Sequence, residues 1–310
     1  MKSITLIVLL LILVNFTCLG QVNGFDYSPN HLKGYKKIVS TSTLRSTPTD
    51  SLKLKTVYNI DNSGRITIIE SFENGEKVHF GSHTYNSKGQ LTAIKNHNQV
   101  YSYDEKVKDH VPAVSEDIYF LTLMEYNNNQ LSKESEYTYY KGTGSLDAIH
   151  QYEYDKQGRK IKETHTDLYE GIAVAFASNS VVIDSIYNKG EAVRTISTYS
   201  YSKNLVKSTD IDENGEKSRY SYITLNAKGK PVSIKYTDMD GAEIESIYYE
   251  YNSDGYLTRR KRKVVDPSKL KGDILAEDDF RIEYGKNKLP AKVITYHKGQ
   301  IVSKNLLDYQ

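Results

Sequence analysis

The chain has 310 residues, among them 27 Tyr, 7 Phe and no Trp, and its mean hydropathy of −0.58 is clearly polar. Long runs of Val, Ile and Leu are scarce, which excludes a buried parallel sheet, and the composition also excludes collagen, a coiled coil and a multi-span helical membrane protein. A formal net charge of +2 leaves no global basic field, so no nucleic-acid partner is expected.

At the N-terminus, Lys2 precedes an apolar run from Ile4 to Val14 that only Thr5 interrupts. With small side chains at Cys18 and Gly20, residues 1–20 read as a secretory signal peptide cleaved after Gly20. The run is too short to span a bilayer, so no integral membrane span is expected once the signal is removed. The alternative is a lipoprotein acylated at Cys18, for which Asn15-Phe16-Thr17 is a poor match to the usual Leu-small-small triplet. Cys18 is the one cysteine of the chain, so the exported part should carry no disulfide and no thiol nucleophile.

Residues 21–50 form a polar lead-in, with Ser40-Thr41-Ser42-Thr43 and Thr47-Pro48-Thr49-Asp50. Such a stretch is a linker or a first edge strand, and the sequence does not choose.

Residues 51–310 read as one β-repeat domain. Turn signals recur at Asp61-Asn-Ser-Gly64, Asn86-Ser-Lys-Gly89, Asp155-Lys-Gln-Gly158, Asn226-Ala-Lys-Gly229 and Asn252-Ser-Asp-Gly255. Tyr126-Asn-Asn-Asn129 and Tyr284-Gly-Lys-Asn287 read as variants one residue shorter, with Asn in the place of Gly. Further turns fall at Asn74-Gly75, Asn214-Gly215 and Asp240-Gly241. Gly and Asn supply the positive-φ positions that close tight hairpins. The segments between turns alternate, as in Val232, Ile234 and Tyr236 against Ser233, Lys235 and Thr237. Gly171–Ala177 and Val181–Ile183 read as a buried apolar hairpin. No sustained helical period follows the signal. The fold class is therefore all-β, a long antiparallel β-meander.

The pattern Tyr-x-Tyr-[Asp/Asn]-x-x-Gly with Leu or Ile close behind occurs at Tyr152–Ile161 and Tyr249–Leu257. It resembles the YD repeats of RHS-type proteins and of small exported bacterial proteins built from them, over roughly residues 57 to 301. A weaker likeness is to MORN-type repeats. The YD resemblance implies a rolled or barrel-like sheet at the cell envelope. Large RHS proteins cut themselves at an Asp-Pro-x-Gly boundary before a toxin; here Asp266-Pro267-Ser268-Lys269 lacks the Gly, so neither feature is implied.

Few residues suggest chemistry. Asp210-Ile-Asp212-Glu-Asn214-Gly215 matches the start of a calcium loop, but its twelfth position is Ser221 and no helices are expected beside it; an acidic hairpin turn is the simpler reading. His79 and His83 are four apart in a strand-like segment, about 13 Å, so no metal site is expected. The basic run Arg259-Arg260-Lys261-Arg262-Lys263 alternates faces in a strand and has acidic neighbours, so cross-strand pairing is expected, with an anionic polysaccharide or lipid headgroup as the functional alternative. Tyrosines crowd the same region. Tyr249, Tyr251, Tyr256, Arg260 and Arg262 are accordingly the candidate binding residues, for a glycan or another envelope protein. No cofactor is implied, and no Gly-x-Ser-x-Gly, His-Glu-x-x-His or phosphate loop is present.

Together these point to an exported, non-catalytic envelope protein that binds or scaffolds, outside the cytoplasm in the periplasm, at the outer-membrane surface or beyond. The alternative is a glycosidase-like enzyme using carboxylates that no motif reveals. A lipid-exposed barrel is disfavoured by the polar faces of most strands.

Overall fold

A computed structural model describes residues 21–22, 25–26, 29–45, 51–104, 109–114, 116–168, 172–177, 180–186, 192–265, 278–297 and 299–310. The signal peptide, the Cys18 alternative and the Asp266-Pro267 site lie outside the described residues.

The protein is all-β, 72% strand, and its core is a closed antiparallel barrel of 18 strands. The first six are β1 (Lys37–Arg45), β2 (Ser51–Ile60), β3 (Ile66–Glu73), β4 (Glu76–Tyr85), β5 (Leu91–Asp104) and β6 (Ile118–Asn127). Then come β7 (Gln130–Tyr140), β8 (Thr143–Tyr154), β9 (Lys160–Asp167), β10 (Val193–Ser202), β11 (Leu205–Ile211) and β12 (Lys217–Leu225). The last are β13 (Pro231–Thr237), β14 (Glu243–Tyr251), β15 (Leu257–Val264), β16 (Asp278–Tyr284), β17 (Pro290–His297) and β18 (Gln300–Tyr309). Each pairs with the next. A strand over Asp109–Val114 extends the outer part of β5, and an antiparallel pair, Ile172–Ala177 with Ser180–Ile186, lies in the β9–β10 connection. The expected apolar hairpin is thus a strand pair, although its side chains lie outside the described residues.

Closure comes from the segment whose sequence was ambiguous. Residues 37–45 are neither linker nor edge: β1 pairs with β2 on one side and with β18 on the other, from Asn305 opposite Ser42 to Tyr309 opposite Ile38. The barrel therefore has no free edge, which removes the template for strand addition.

Cross-strand register divides each strand between two faces. Ile38, Tyr58, Ile69 and Gly81 share one face, which continues through Glu134, His150, His165, Thr195 and back to Tyr309. On this face Leu32, from the single helical turn Pro29–Leu32, is 1% exposed and packs with residues of β16, β17, β18, β1, β2 and β3. Side chains from six strands converge on one Leu only on the concave side of a curved sheet, so this face lines the lumen. The other face carries Leu123, Leu205, Tyr248 and Leu306, all exposed, together with Lys55, Lys95, Lys162, Lys207, Lys261 and Lys304. Eighteen strands leave a lumen too wide for side chains to fill alone, so the apolar cluster around Leu32 occupies one arc near one end.

The repeat works through one recurrent contact. At the ends of seven even-numbered strands, Tyr85, Tyr126, Tyr154, Tyr201, Tyr251, Tyr284 and Tyr309 point inward, each donating its hydroxyl to a carbonyl at the start of the neighbouring strand. The acceptors are Ile66, Leu91, Leu131, Lys160, Pro231, Leu257 and Pro290. Every acceptor stands two residues after a positive-φ residue: Gly64, Gly89, Asn129, Gly158, Gly229, Gly255 and Lys288. In four of these turns the residue between the two covers the same ring. Arg65 lies over Tyr85 at 4.8 Å, Arg159 over Tyr201 at 4.6 Å and Lys230 over Tyr251 at 5.5 Å. Tyr256 packs on Tyr284 at 5.4 Å.

An Asp or Asn directly after the last residue of a strand closes several of these turns. Asp61 Oδ1 accepts from the Ser63 and Arg65 amides, and Asn86, Asp155 and Asn226 repeat the arrangement. One expectation needs correction here. In Tyr284–Leu289 the positive φ of 60° belongs to Lys288 and not to Asn287. The turn is full length, with Gly285 in the Asx place and Asn287 Oδ1 accepting from the Leu289 amide instead. In the β6–β7 turn Asn129 does hold a positive φ, of 65°.

Removing one staple hydroxyl should therefore be measurable. Tyr251→Phe is expected to cost about 1 kcal/mol by denaturant midpoint, since the Pro231 carbonyl loses its inward donor. Tyr222→Phe, on the outer face beside Lys207, should change stability by less than about 0.5 kcal/mol.

Candidate functional site

The five residues singled out from sequence lie on β14, β15 and the turn between them, and they do not converge. Tyr251 and Tyr256 belong to the staple layer just described. Tyr249 stands opposite Arg260, midway along the lumen wall, and Arg262 lies opposite Ile247 towards the far end. Tyr256 and Arg262 are six residues apart along the chain, about 20 Å.

The three arginines of the basic run are paired, as its acidic neighbours suggested. Inside, Arg260 meets Asp278 at 3.2 Å, and Arg262 meets Glu245 at 2.5 Å with both side chains about a tenth exposed. Outside, Arg259 grips Asp279 through Nε and Nη2, both at 2.8 Å, and reaches Glu250 at 3.1 Å. The Asp279 carboxyl is held below its usual range by Arg259. The calcium-like loop is a hairpin turn: Asp212 Oδ1 accepts from the Asn214 and Glu216 amides, while Asp210 takes Ser197 and Arg219. Among the described residues no group of three or more metal-ligating side chains converges.

The densest cluster of titratable groups was not singled out from the sequence. It lies in the lumen on β7, β8, β9 and β10. Glu163 Oε2 accepts from Lys160 at 2.7 Å and from the Tyr199 hydroxyl at 3.2 Å. His150 sits between carboxylates, 3.7 Å from Glu163 and 3.7 Å from Glu136, and its ring meets His165 edge-on at 4.1 Å. His165 contacts Asp167 at 2.7 Å, and the Tyr152 hydroxyl donates to Glu134. Beside His150 and Lys160, the Glu163 carboxyl is held down at about 2 against the opposing effect of burial. Reciprocally, Glu163 raises His150 above the ordinary imidazole value. The signal for this cluster was present as Lys160-Ile-Lys-Glu163-Thr-His165-Thr-Asp167, three ionisable groups at a two-residue period on one face. Its partners, however, come from strands that only the register brings alongside.

His79 and His83 share the inner face of β4. Burial drives His83 down to about 4, and the proximity of His79 adds to the effect. A depressed folded value stabilises the protein fully above the unfolded value near 6.5, and that contribution is lost as pH falls towards about 4. His150 has the opposite sign, its contribution being complete below 6.5 and lost as pH rises above it. Between pH 6.5 and 4 the native protein should therefore lose stability more steeply than His83→Gln, as read from paired denaturation curves.

The two ends of the barrel differ in charge. At the end where even-numbered strands finish, the turns hold Arg65, Lys88, Lys156, Arg159, Lys203, Lys228, Lys230, Lys286 and Lys288, with Lys33, Lys36 and Lys37 beside them. The carboxylates in those turns are Asp61, Asp155 and Asp254, and each pairs with a cation of the same rim. Among the described residues, the opposite end carries Glu73, Glu76, Glu116, Asp117, Asp212, Glu213, Glu216, Asp238 and Asp240, against Arg45, Lys77, Lys141, Arg194 and Lys217.

No described protein family matches the chain, and no curated protein does. Among solved structures, a porin-like protein from Bacteroides uniformis ATCC 8492 is similar over 90% of this chain and 97% of its own, at 11% identity and a TM-score of 0.42. An outer membrane lipoprotein-sorting protein domain from Vibrio parahaemolyticus is similar over 91% of this chain and 88% of its own, at 8% identity and a TM-score of 0.18. Neither likeness carries a function to this chain.

Proposed function

We propose that the protein is an exported, non-catalytic β-barrel of the cell envelope that binds a glycan or another envelope protein. The observation behind this reading is the state of the lumenal carboxylates. A glycosidase needs one carboxylic acid kept protonated opposite a second that is ionised. Here Glu163 is held ionised by His150 and Lys160, Glu245 is clamped by Arg262, and Glu134 is engaged by Tyr152. Among the described residues, the carboxyl that burial and a like-charged neighbour push upward is Glu73, which sits with Glu76 on the two-residue turn Asn74-Gly75, away from the lumenal cluster.

The outer wall supports an aqueous barrel. A membrane barrel presents an apolar band about 25 Å tall, and a Lys or Arg at its midplane costs about 2–4 kcal/mol. Outward lysines on β2, β5, β9, β11, β15 and β18 argue against such a band. The expected export rests on the leader at residues 1–20.

A panel of chromogenic glycosides run beside a glycan array tests the reading. Saturable retention with no glycoside turnover is expected. Turnover abolished by Glu163→Gln would transfer the protein to the enzymes.

A further inference from the structure

We propose that the basic rim of the barrel docks face-on against an anionic lipid surface, its lysines meeting phosphate headgroups. This rests on the reading of the chain as an exported envelope barrel and names the partner of one end of it.

The first support is unspent charge. Lys33, Lys156, Lys203, Lys228 and Lys286 are exposed and belong to five different segments of this rim. None of them makes an ion pair among the described residues, in contrast to Arg259, Arg260 and Arg262 of β15, each of which is paired. Charges spread around a ring, whose three carboxylates already pair with Arg65, Arg159 and Lys288, suit a surface of many phosphates better than one small anion.

The second support is shape. Turns on the basic rim span two or five residues between strands, so its face is built from short, closed loops. The long connections, over 105–117, 168–192 and 265–277, all join strands at the acidic end. Only the basic end therefore offers a ring of short turns to a flat surface. The acidic end, repelled by the same phosphates, fixes which way the barrel stands.

The third support is connectivity. β1 begins at the basic rim, where the Lys36 and Lys37 amides bond to the Gln310 carbonyl. The start of β1 consequently lies on the side that would face the lipid.

The test uses protein recovered after export and sedimented with vesicles. One set is phosphatidylcholine with about one third phosphatidylglycerol, and the other is phosphatidylcholine alone. Each basic residue near an anionic surface strengthens binding roughly fivefold. Lys156→Gln/Lys203→Gln/Lys228→Gln should thus weaken partitioning to the anionic vesicles about 100-fold. The matched variant of the opposite rim, Lys77→Gln/Lys141→Gln/Lys217→Gln, should stay within about twofold, and added salt should weaken the parent protein. Equal binding to both vesicle types, or equal loss in both variants, overturns the proposal. So does tighter binding of soluble polygalacturonate than of anionic vesicles, which would make the rim a polymer site. Glycoside turnover by the same preparations would instead overturn the underlying non-catalytic reading, leaving the vesicle result to stand or fall alone.

Discussion

Truncating Glu245 to Ala is expected to cost about 3–5 kcal/mol, the largest effect of any single substitution considered for this barrel. Its carboxylate takes both Nε and Nη2 of Arg262 at 2.5 Å, and the two side chains are 10% and 11% exposed on the lumen wall. Arginine cannot shed its proton to escape burial. Ala at 245 would leave a full positive charge in a site that water hardly reaches. Removing both charges should be far milder: Glu245→Leu with Arg262→Met is expected to fall within about 2 kcal/mol of the parent. The outer pair Arg259–Glu250 makes the contrast, since its carboxylate is 62% exposed and Glu250→Ala should cost less than about 1 kcal/mol. Denaturant unfolding of the four proteins gives the comparison. If Glu245→Ala cost no more than Glu250→Ala, water would have to enter the lumen at this point, and the pair would be solvated like a surface bridge.

That buried pair was half legible. Acidic neighbours of the basic run were visible in the sequence, and so was the alternation that sends Arg260 and Arg262 one way and Arg259 and Lys261 the other. Which carboxylate meets which arginine depends on the β14–β15 and β15–β16 registers, and those include a bulge at Glu250/Tyr251 that no composition rule supplies. The turns were legible for the opposite reason. An Asx residue, a Gly three later and an amide two beyond the Asx are all local, so Asn226–Lys230 closes without help from the rest of the fold. The staple tyrosines show where local reading stops. Tyr251 marks a repeat in the sequence, but its partner is the Pro231 carbonyl twenty residues back, and the rule linking them appears only when strands are paired. β1 was ambiguous because a strand in a wide, partly polar lumen need not be apolar: Ser40 and Ser42 line the inner face beside Ile38. The His150 cluster was missed because, although β8 and β9 carry most of it, only the strand register puts those groups on one face with Glu134, Glu136 and Tyr199.

Replacing Gly255 by Val is expected to cost about 2 kcal/mol, because the residue must hold φ near +87°. Crowding plays no part. A Cβ at this position would meet nothing closer than the Lys228 ammonium at 3.7 Å, at the end of a flexible chain. The cost is therefore conformational, and it should depend on residue type in a set order. Asn tolerates the left-handed region and already occupies it at Asn129, so Gly255→Asn should cost about half as much or less. Ser253→Val, in the same turn and exposed, should stay within about 0.5 kcal/mol. Lys288 supplies the reciprocal experiment. It occupies the equivalent place with φ of 60° and bears the strain that Gly255 avoids. Lys288→Gly should accordingly stabilise the protein by about 1 kcal/mol, with Lys286→Gly beside it lacking the gain. Should Val and Asn prove equally damaging at 255, or Lys288→Gly destabilise, the positive-φ position would not be what fixes these turns. The two-residue offset that ties each of them to a tyrosine of the next repeat would then need another cause.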